Sequence, residues 1–277
     1  MKTIRLLLLI AAIVSIACIS CSKYEAEESK VQEFKDLPAL PNVIDENSIP
    51  IQKTWTENFE NQFSLNSNWK LYGTPLPKWV ATAYGNQGLF DNNGASPNKS
   101  HAVSNRIVGK RMGYVVESEV MVKILDIFGN CVCPGIAVSQ EIVPKVNKDN
   151  EIPTSISMKI VFAGVNATWF PAKYRGHTFF MMEFLGENNN RVSSGYIFAD
   201  QYSNSWHKLK IEVTANRYTR FYCDNNLIWA PFERLNPEMM SDRKVILGYT
   251  SDGDPNTFAG IAYHNWVKAT YPVGPEL

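Results

Sequence analysis

The sequence predicts an all-β domain, an antiparallel sandwich of jelly-roll type. Three observations predict it. Apolar and polar residues alternate with period two in Tyr114 to Val122, Ser155 to Phe162 and Leu209 to Val213. Turn clusters punctuate the runs: Asp91-Asn92-Asn93-Gly94, Gly186 to Asn190, and Ser251 to Asn256. No long amphipathic helix competes, and only Glu233 to Arg243 is expected to carry a short one. Many short strands with frequent turns are the pattern of a sandwich.

The chain opens with Lys2 and Arg5, then an apolar run from Leu6 to Ile19, then Ser20-Cys21-Ser22-Lys23. That run is shorter than the about 20 residues a membrane-spanning helix needs. A basic flank, a short apolar core and a small residue before the cut describe a secretory signal. The pattern resembles a bacterial lipoprotein signal peptide over residues 1–20, with lipid carried on Cys21; Cys18 offers a rival site. The expected mature protein is exported and tethered by lipid to the cell envelope, in the outer membrane of a Gram-negative bacterium. Residues 21–50 are rich in Glu, Lys, Pro, Asn and Ser and have too little apolar surface to order themselves, so they read as a flexible stalk. Residues 51–277 are expected to form one domain, which holds all seven tryptophans.

Within that domain Thr178 to Leu185 is continuously apolar and aromatic, as suits a strand buried on both faces. Arg220 to Cys223 leads into Asp224-Asn225-Asn226, a hairpin signal, and Leu227 to Trp229 returns from it. Val245 to Tyr249 and Gly260 to Thr270 close the chain. Trp55, Trp69, Trp206 and Trp266 are expected in the core.

Formal charge balances, with 27 acidic and 27 basic residues, so no electrostatic footprint for nucleic acid exists. No paired-cysteine spacing marks a zinc site. Cys131, Cys133 and Cys223 permit at most one disulfide, between Cys223 and one of the other two; three buried thiols are the alternative.

Four segments then carry a resemblance: Glu57-Asn58-Phe59-Glu60 with Trp69 and Gly73; Tyr114 to Val122; Trp206 to Val213 followed by Arg220 to Leu227; and Ala262 to Lys268. In order and spacing they resemble the concanavalin A-like lectin/glucanase domain, of laminarinase or laminin G type, over roughly residues 51–271. The resemblance implies two antiparallel sheets in a jelly roll and a carbohydrate partner. Asn265 stands where that family has Asp in its last strand, which weakens a calcium ligand of the family type there.

The laminarinase-type branch carries Glu-x-Asp-x-x-Glu on one strand. Setting Glu187 at the last acid puts Phe184 and Met182 at the other two, so the motif is absent. A retaining glycosidase needs two carboxylates about 5–5.5 Å apart. Glu183 and Glu187 on one regular strand stand roughly 13 Å apart, and Gly186 marks the strand's end. Glu117 and Glu119 share a face at roughly 6.6 Å, on what reads as a solvated surface. Tyr174-Arg175-Gly176-His177 offers a phenol, a cation and an imidazole of the kind a polysaccharide lyase uses, though a polar turn explains the same residues. The expectation is non-catalytic carbohydrate binding, with a divergent glycoside hydrolase or lyase, or an adhesion lipoprotein, as alternatives.

Sugar recognition needs rigid aromatic faces beside hydrogen-bonding groups. The segment Trp169 to His177 offers Trp169, Tyr174, Arg175 and His177 as ligand contacts, and a second loop offers Trp79 and Tyr84. No cofactor is expected. Asp252 and Asp254 are a weak start on a calcium site, which takes six to eight oxygens.

Overall fold

A computed structural model describes residues 51–73, 76–81, 87–91, 101–108, 113–140, 154–241, 243–248 and 259–273. The chain divides into two units, Met1–Ser48 and Ile49–Leu277, and the first lies wholly outside the described residues. Cys21, Tyr84, Asp252 and Asp254 therefore lie outside them as well.

The strands, in chain order, begin with β1 (Ile51–Glu57), β2 (Trp69–Tyr72), β3 (Lys78–Ala81), β4 (Gln87–Asp91), β5 (His101–Val108), β6 (Tyr114–Ile124), β7 (Cys131–Val132), β8 (Gly135–Ser139) and β9 (Ser155–Ala163). They continue with β10 (His177–Leu185), β11 (Arg191–Ser193), β12 (Ile197–Phe198), β13 (Trp206–Val213), β14 (Thr219–Cys223), β15 (Asn226–Trp229), β16 (Arg243–Leu247) and β17 (Gly260–Val273). Sheet I has the order β15-β14-β13-β6-β17-β4-β3, with β1 also on β17. Sheet II has the order β11-β10-β9-β8-β16-β5-β2, with β12 on β10 and β7 on β9. Every described pairing is antiparallel. This is the expected jelly-roll sandwich.

The main core lies between the sheets, where β6 and β13 meet β9. Val116, Val120, Leu209, Ile211 and Phe221 of sheet I pack with Ile156, Met158, Ile160, Phe180 and Met182 of sheet II. Alternation assigns the faces: even positions of β9 join this core, while Val161 and Ala163 join a second cluster on the other side of sheet II. There Phe170 and Tyr174, from the segment between β9 and β10, pack with Phe179 and Met181 of β10. That cover explains why β10 is apolar almost throughout: it has a core on each side.

The hairpin forms where the sequence placed it. Asp224 and Asn225 take φ of 50° and 67°, the left-handed pair that a two-residue turn of the primed type requires.

Helix placement differs from expectation. Glu233 to Arg243 yields only a 3-10 turn, Pro237–Met240, entered through Asn236, whose Oδ1 accepts the Glu238 N–H at 2.9 Å. Leu235 beside it is drawn instead into an isolated bridge with Gly186. Among the described residues the α-helix is α1 (Gln62–Asn68), started by Asn61, whose Oδ1 accepts the Ser64 N–H at 2.9 Å. It buries only Leu65, too little to leave a periodic signal.

Two tryptophans also differ. Trp55 and Trp69 are buried and meet edge to face at 6.1 Å. Trp206 and Trp266 are half-buried on the outer face of sheet I, not in the core. A bulge between His264 and Trp266 reverses the alternation of β17 and turns Trp266 outward. Cys131, Cys133 and Cys223 are all buried, and none of them is in a disulfide. The first two lie in the second cluster and the third in the main core, on opposite sides of sheet II, which excludes the bridge.

Candidate functional site

The glutamate pairs come first. Glu183, on the outer face of sheet II, is 2% exposed; its Oε2 accepts Arg191 Nε at 2.9 Å, and Lys159 Nζ lies 4.0 Å from Oε1. Glu187 lies beyond the strand end and pairs with Arg217 at 2.5 Å. The two carboxylates are held by different cations and do not converge. Glu117 sits between Lys208 at 3.6 Å and Lys268 at 4.0 Å, and Glu119 accepts Asn265 Nδ2 at 2.6 Å. These are interactions of a polar outer sheet face.

The segment from Trp169 to His177 builds a different arrangement. Arg175 folds back on its own loop, donating from Nε to the Phe170 carbonyl at 2.9 Å and from Nη2 to the Thr168 carbonyl at 3.0 Å. Its guanidinium thus braces the loop. Trp169 is half-buried against the second cluster, 5.9 Å from Phe170. Tyr174 is buried, 4.6 Å from Tyr196 and 5.0 Å from Phe198. His177 is 47% exposed, and its Nδ1 lies 2.9 Å from Asp200 Oδ2. The other Asp200 oxygen accepts the Thr178 N–H at 2.6 Å, which fixes the carboxylate at the start of β10.

The exposed aromatic at this end is Phe198, 51% open, with His177 edge-on at 5.4 Å. Sequence reasoning missed both Phe198 and Asp200. Their partners are more than twenty residues away along the chain, and neither sits in a motif. The structure thus joins Tyr174 and His177 through Phe198, with Trp169 at the far end of the same ring cluster. Trp79 is elsewhere: it lies on β3 of sheet I and packs on the main core, and its Nε1 donates to the Phe59 carbonyl at 2.7 Å.

A second polar group lies on β13 and the hairpin. His207 Nδ1 is 2.7 Å from Asp224 Oδ2, and His207 Nε2 is 2.6 Å from Ser205 Oγ. The ligand atoms of His207, Cys223 and Asp224 lie within 4.8 Å of one another. Burial, and then the Asp224 carboxylate, push the Cys223 thiol up to about 12. At neutral pH it is a thiol and not the thiolate that binds metal. The imidazole and carboxylate already satisfy each other, so the set does not fit a metal centre.

The fold is the concanavalin A-like jelly roll. Among solved structures, the winged bean acidic lectin complexed with methyl-α-D-galactose is similar over 81% of this chain and 100% of its own, with a TM-score of 0.53 and 9% identity. A GH16 protein of the Bacteroides ovatus mixed linkage glucan PUL, in complex with product, is similar over 78% of this chain and 99% of its own, with a TM-score of 0.50 and 8% identity. At these identities the likeness shows the fold alone. No family model and no curated protein matches the chain.

Proposed function

We propose that the domain binds carbohydrate, an oligo- or polysaccharide, at the end of sheet II formed by Phe198, His177 and Asp200, without cleaving glycosidic bonds. One observation carries this reading: an exposed aromatic ring stands beside a carboxylate that is both exposed and fixed in place. The ring offers apolar area to a sugar's C–H face, and the carboxylate has lone pairs left for its hydroxyls. Tyr174 supports Phe198 from beneath, and Arg175 stiffens the loop. The winged bean lectin holds methyl-α-D-galactose on the same fold, which is support at the level of fold only. The reading includes lipid anchorage through Cys21 on the cell envelope, supported by the amino-terminal pattern.

A glycan array run beside a reducing-sugar release assay tests it. The full chain is expected to bind a defined set of glycans and to release no reducing ends. Phe198→Ala is expected to weaken that binding about fivefold, from roughly 1 kcal/mol of stacking, with an unchanged urea midpoint. An array without binding, or binding indifferent to Phe198→Ala, would sink the proposal. Release of reducing ends would replace it with a hydrolase.

A further inference from the structure

Ser205, His207 and Asp224 form a continuous hydrogen-bonded chain that the carbohydrate reading does not use. Asp224 Oδ2 lies 2.7 Å from His207 Nδ1, and Asp224 Oδ1 accepts the Lys208 N–H at 2.8 Å. The carboxylate is therefore oriented by the backbone, and it holds the proton on Nδ1. That leaves Nε2 as the acceptor, and Ser205 Oγ stands 2.6 Å from it. The order carboxylate, imidazole, hydroxyl is the one that activates a serine, and such sets are recognised by geometry and not by sequence order.

The surroundings hold this geometry in place. His207 has the inward-facing parity of Leu209 and Ile211 on β13, so it lies at the rim of the main core. The Tyr202 ring packs edge-on against it at 4.9 Å. The residue before the serine, Asn204, is pinned twice to β6: its N–H donates to the Val122 carbonyl at 2.8 Å, and its Oδ1 accepts the Ile124 N–H at 2.9 Å. Asp224 is fixed by the left-handed turn it opens. The imidazole is 14% exposed, while Ser205 itself is open to solvent. The base and the carboxylate are thus held on β13 and its hairpin, and the serine stands in the bend directly before β13.

We propose that Ser205, His207 and Asp224 form a serine acyl-hydrolase site that takes carboxylic esters. Ser205 Oγ attacks the ester carbonyl carbon as its proton passes to His207 Nε2. The carbon–alkoxy bond then breaks, and Nε2 returns the proton to the leaving alkoxide. Water attacks the acyl-serine, giving its proton to Nε2. The bond to Oγ breaks, Oγ recovers the proton, and the carboxylic acid departs. Water is the only co-reactant. The Ser205 N–H, one residue outside the β13 ladder, is the nearest backbone donor in sequence for the developing oxyanion. Asp224 is a positioning residue, since it acts through the imidazole. The exposed serine suits an acyl group carried on the outside of a larger molecule.

A fluorophosphonate probe tests the assignment on the full chain, with the labelled residue located by mass spectrometry. The expected result is an adduct on Ser205, absent in Ser205→Ala and formed at least about tenfold more slowly in His207→Gln and Asp224→Asn. Asp224→Glu is expected to restore part of the rate, which a purely structural turn contact does not predict. Hydrolysis of p-nitrophenyl acetate is followed in parallel, and Ser205→Ala, at an exposed position, is expected to keep its urea midpoint and lose turnover. No adduct on Ser205, or equal rates in His207→Gln and the unaltered chain, overturns the proposal. Should His207→Gln fail to fold, equal ester hydrolysis by Ser205→Ala and the unaltered chain overturns it as well.

Discussion

His264 makes the fold sensitive to acid in a way that can be calculated. It sits on β17 with no exposure, and its Nδ1 lies 3.2 Å from Ser118 Oγ. That hydroxyl donates to the Trp266 carbonyl at 2.8 Å, so it accepts from Nδ1–H. Nε2 has no hydrogen-bond partner among the described residues. Burial holds the imidazole down at about 3, because a charge there would have no water around it. In the unfolded chain the same group titrates near 6.5. Between those values the unfolded state carries a proton that the folded state refuses, so acidification favours unfolding. The penalty is nearly absent at pH 7.5 and grows to about 2 kcal/mol at pH 5. Urea unfolding followed by tryptophan fluorescence, at half-unit steps from pH 7.5 to 5, measures it. The comparison is with His264→Leu, which cannot titrate and cancels the contributions of every other group. The stability of the unaltered protein is expected to fall by about 2 kcal/mol more than that of the variant over this range. Parallel curves would refute the reasoning.

Two further expectations concern stability and anchorage. Glu183→Gln removes the charge that faces Arg191 and Lys159 at a buried position, and is expected to cost about 3 kcal/mol in urea unfolding while leaving glycan binding intact. Unchanged stability would show that the pair contributes nothing. On the proposed lipid anchorage, Cys21→Ala is expected to remove palmitate incorporation and membrane association, since acyl chains on that residue would supply about 0.8 kcal/mol per buried methylene. Radiolabel retained on that variant would move the anchor to another residue, Cys18 first.

Fold class was legible in the sequence because period-two alternation is a property of neighbouring residues. The strands β6, β9, β10 and β13 lie where that alternation or a continuous apolar run places them, and the Asp224-Asn225 turn follows from local chemistry. What escaped were features that depend on distant partners or on single residues. The bulge in β17 moves Trp266 from the inward to the outward face by one inserted position, which no pattern announces. The helix α1 is two turns long with one buried residue, so its only signal was Asn61 three residues before Ser64. Asp200 reaches His177 across twenty-three residues, and Asp224 reaches His207 across seventeen. Each pair exists only because antiparallel strands bring their ends together. Ser205 and His207, by contrast, stood two residues apart in the sequence; what was missing was the carboxylate that gives them meaning.

The separation of the three thiols gives the molecule its own record of how it opens. Cys131 and Cys133 lie under the segment that joins β9 to β10, and Cys223 lies between the sheets. A fluctuation that lifts only that segment bares the first two and leaves the third protected; only parting of the sheets reaches all three. Thiol exchange rates measured residue by residue therefore separate breathing of that end of sheet II from loss of the sandwich. If ligand steadies that end alone, it slows alkylation at Cys131 and Cys133 and leaves Cys223 at the pace of global unfolding.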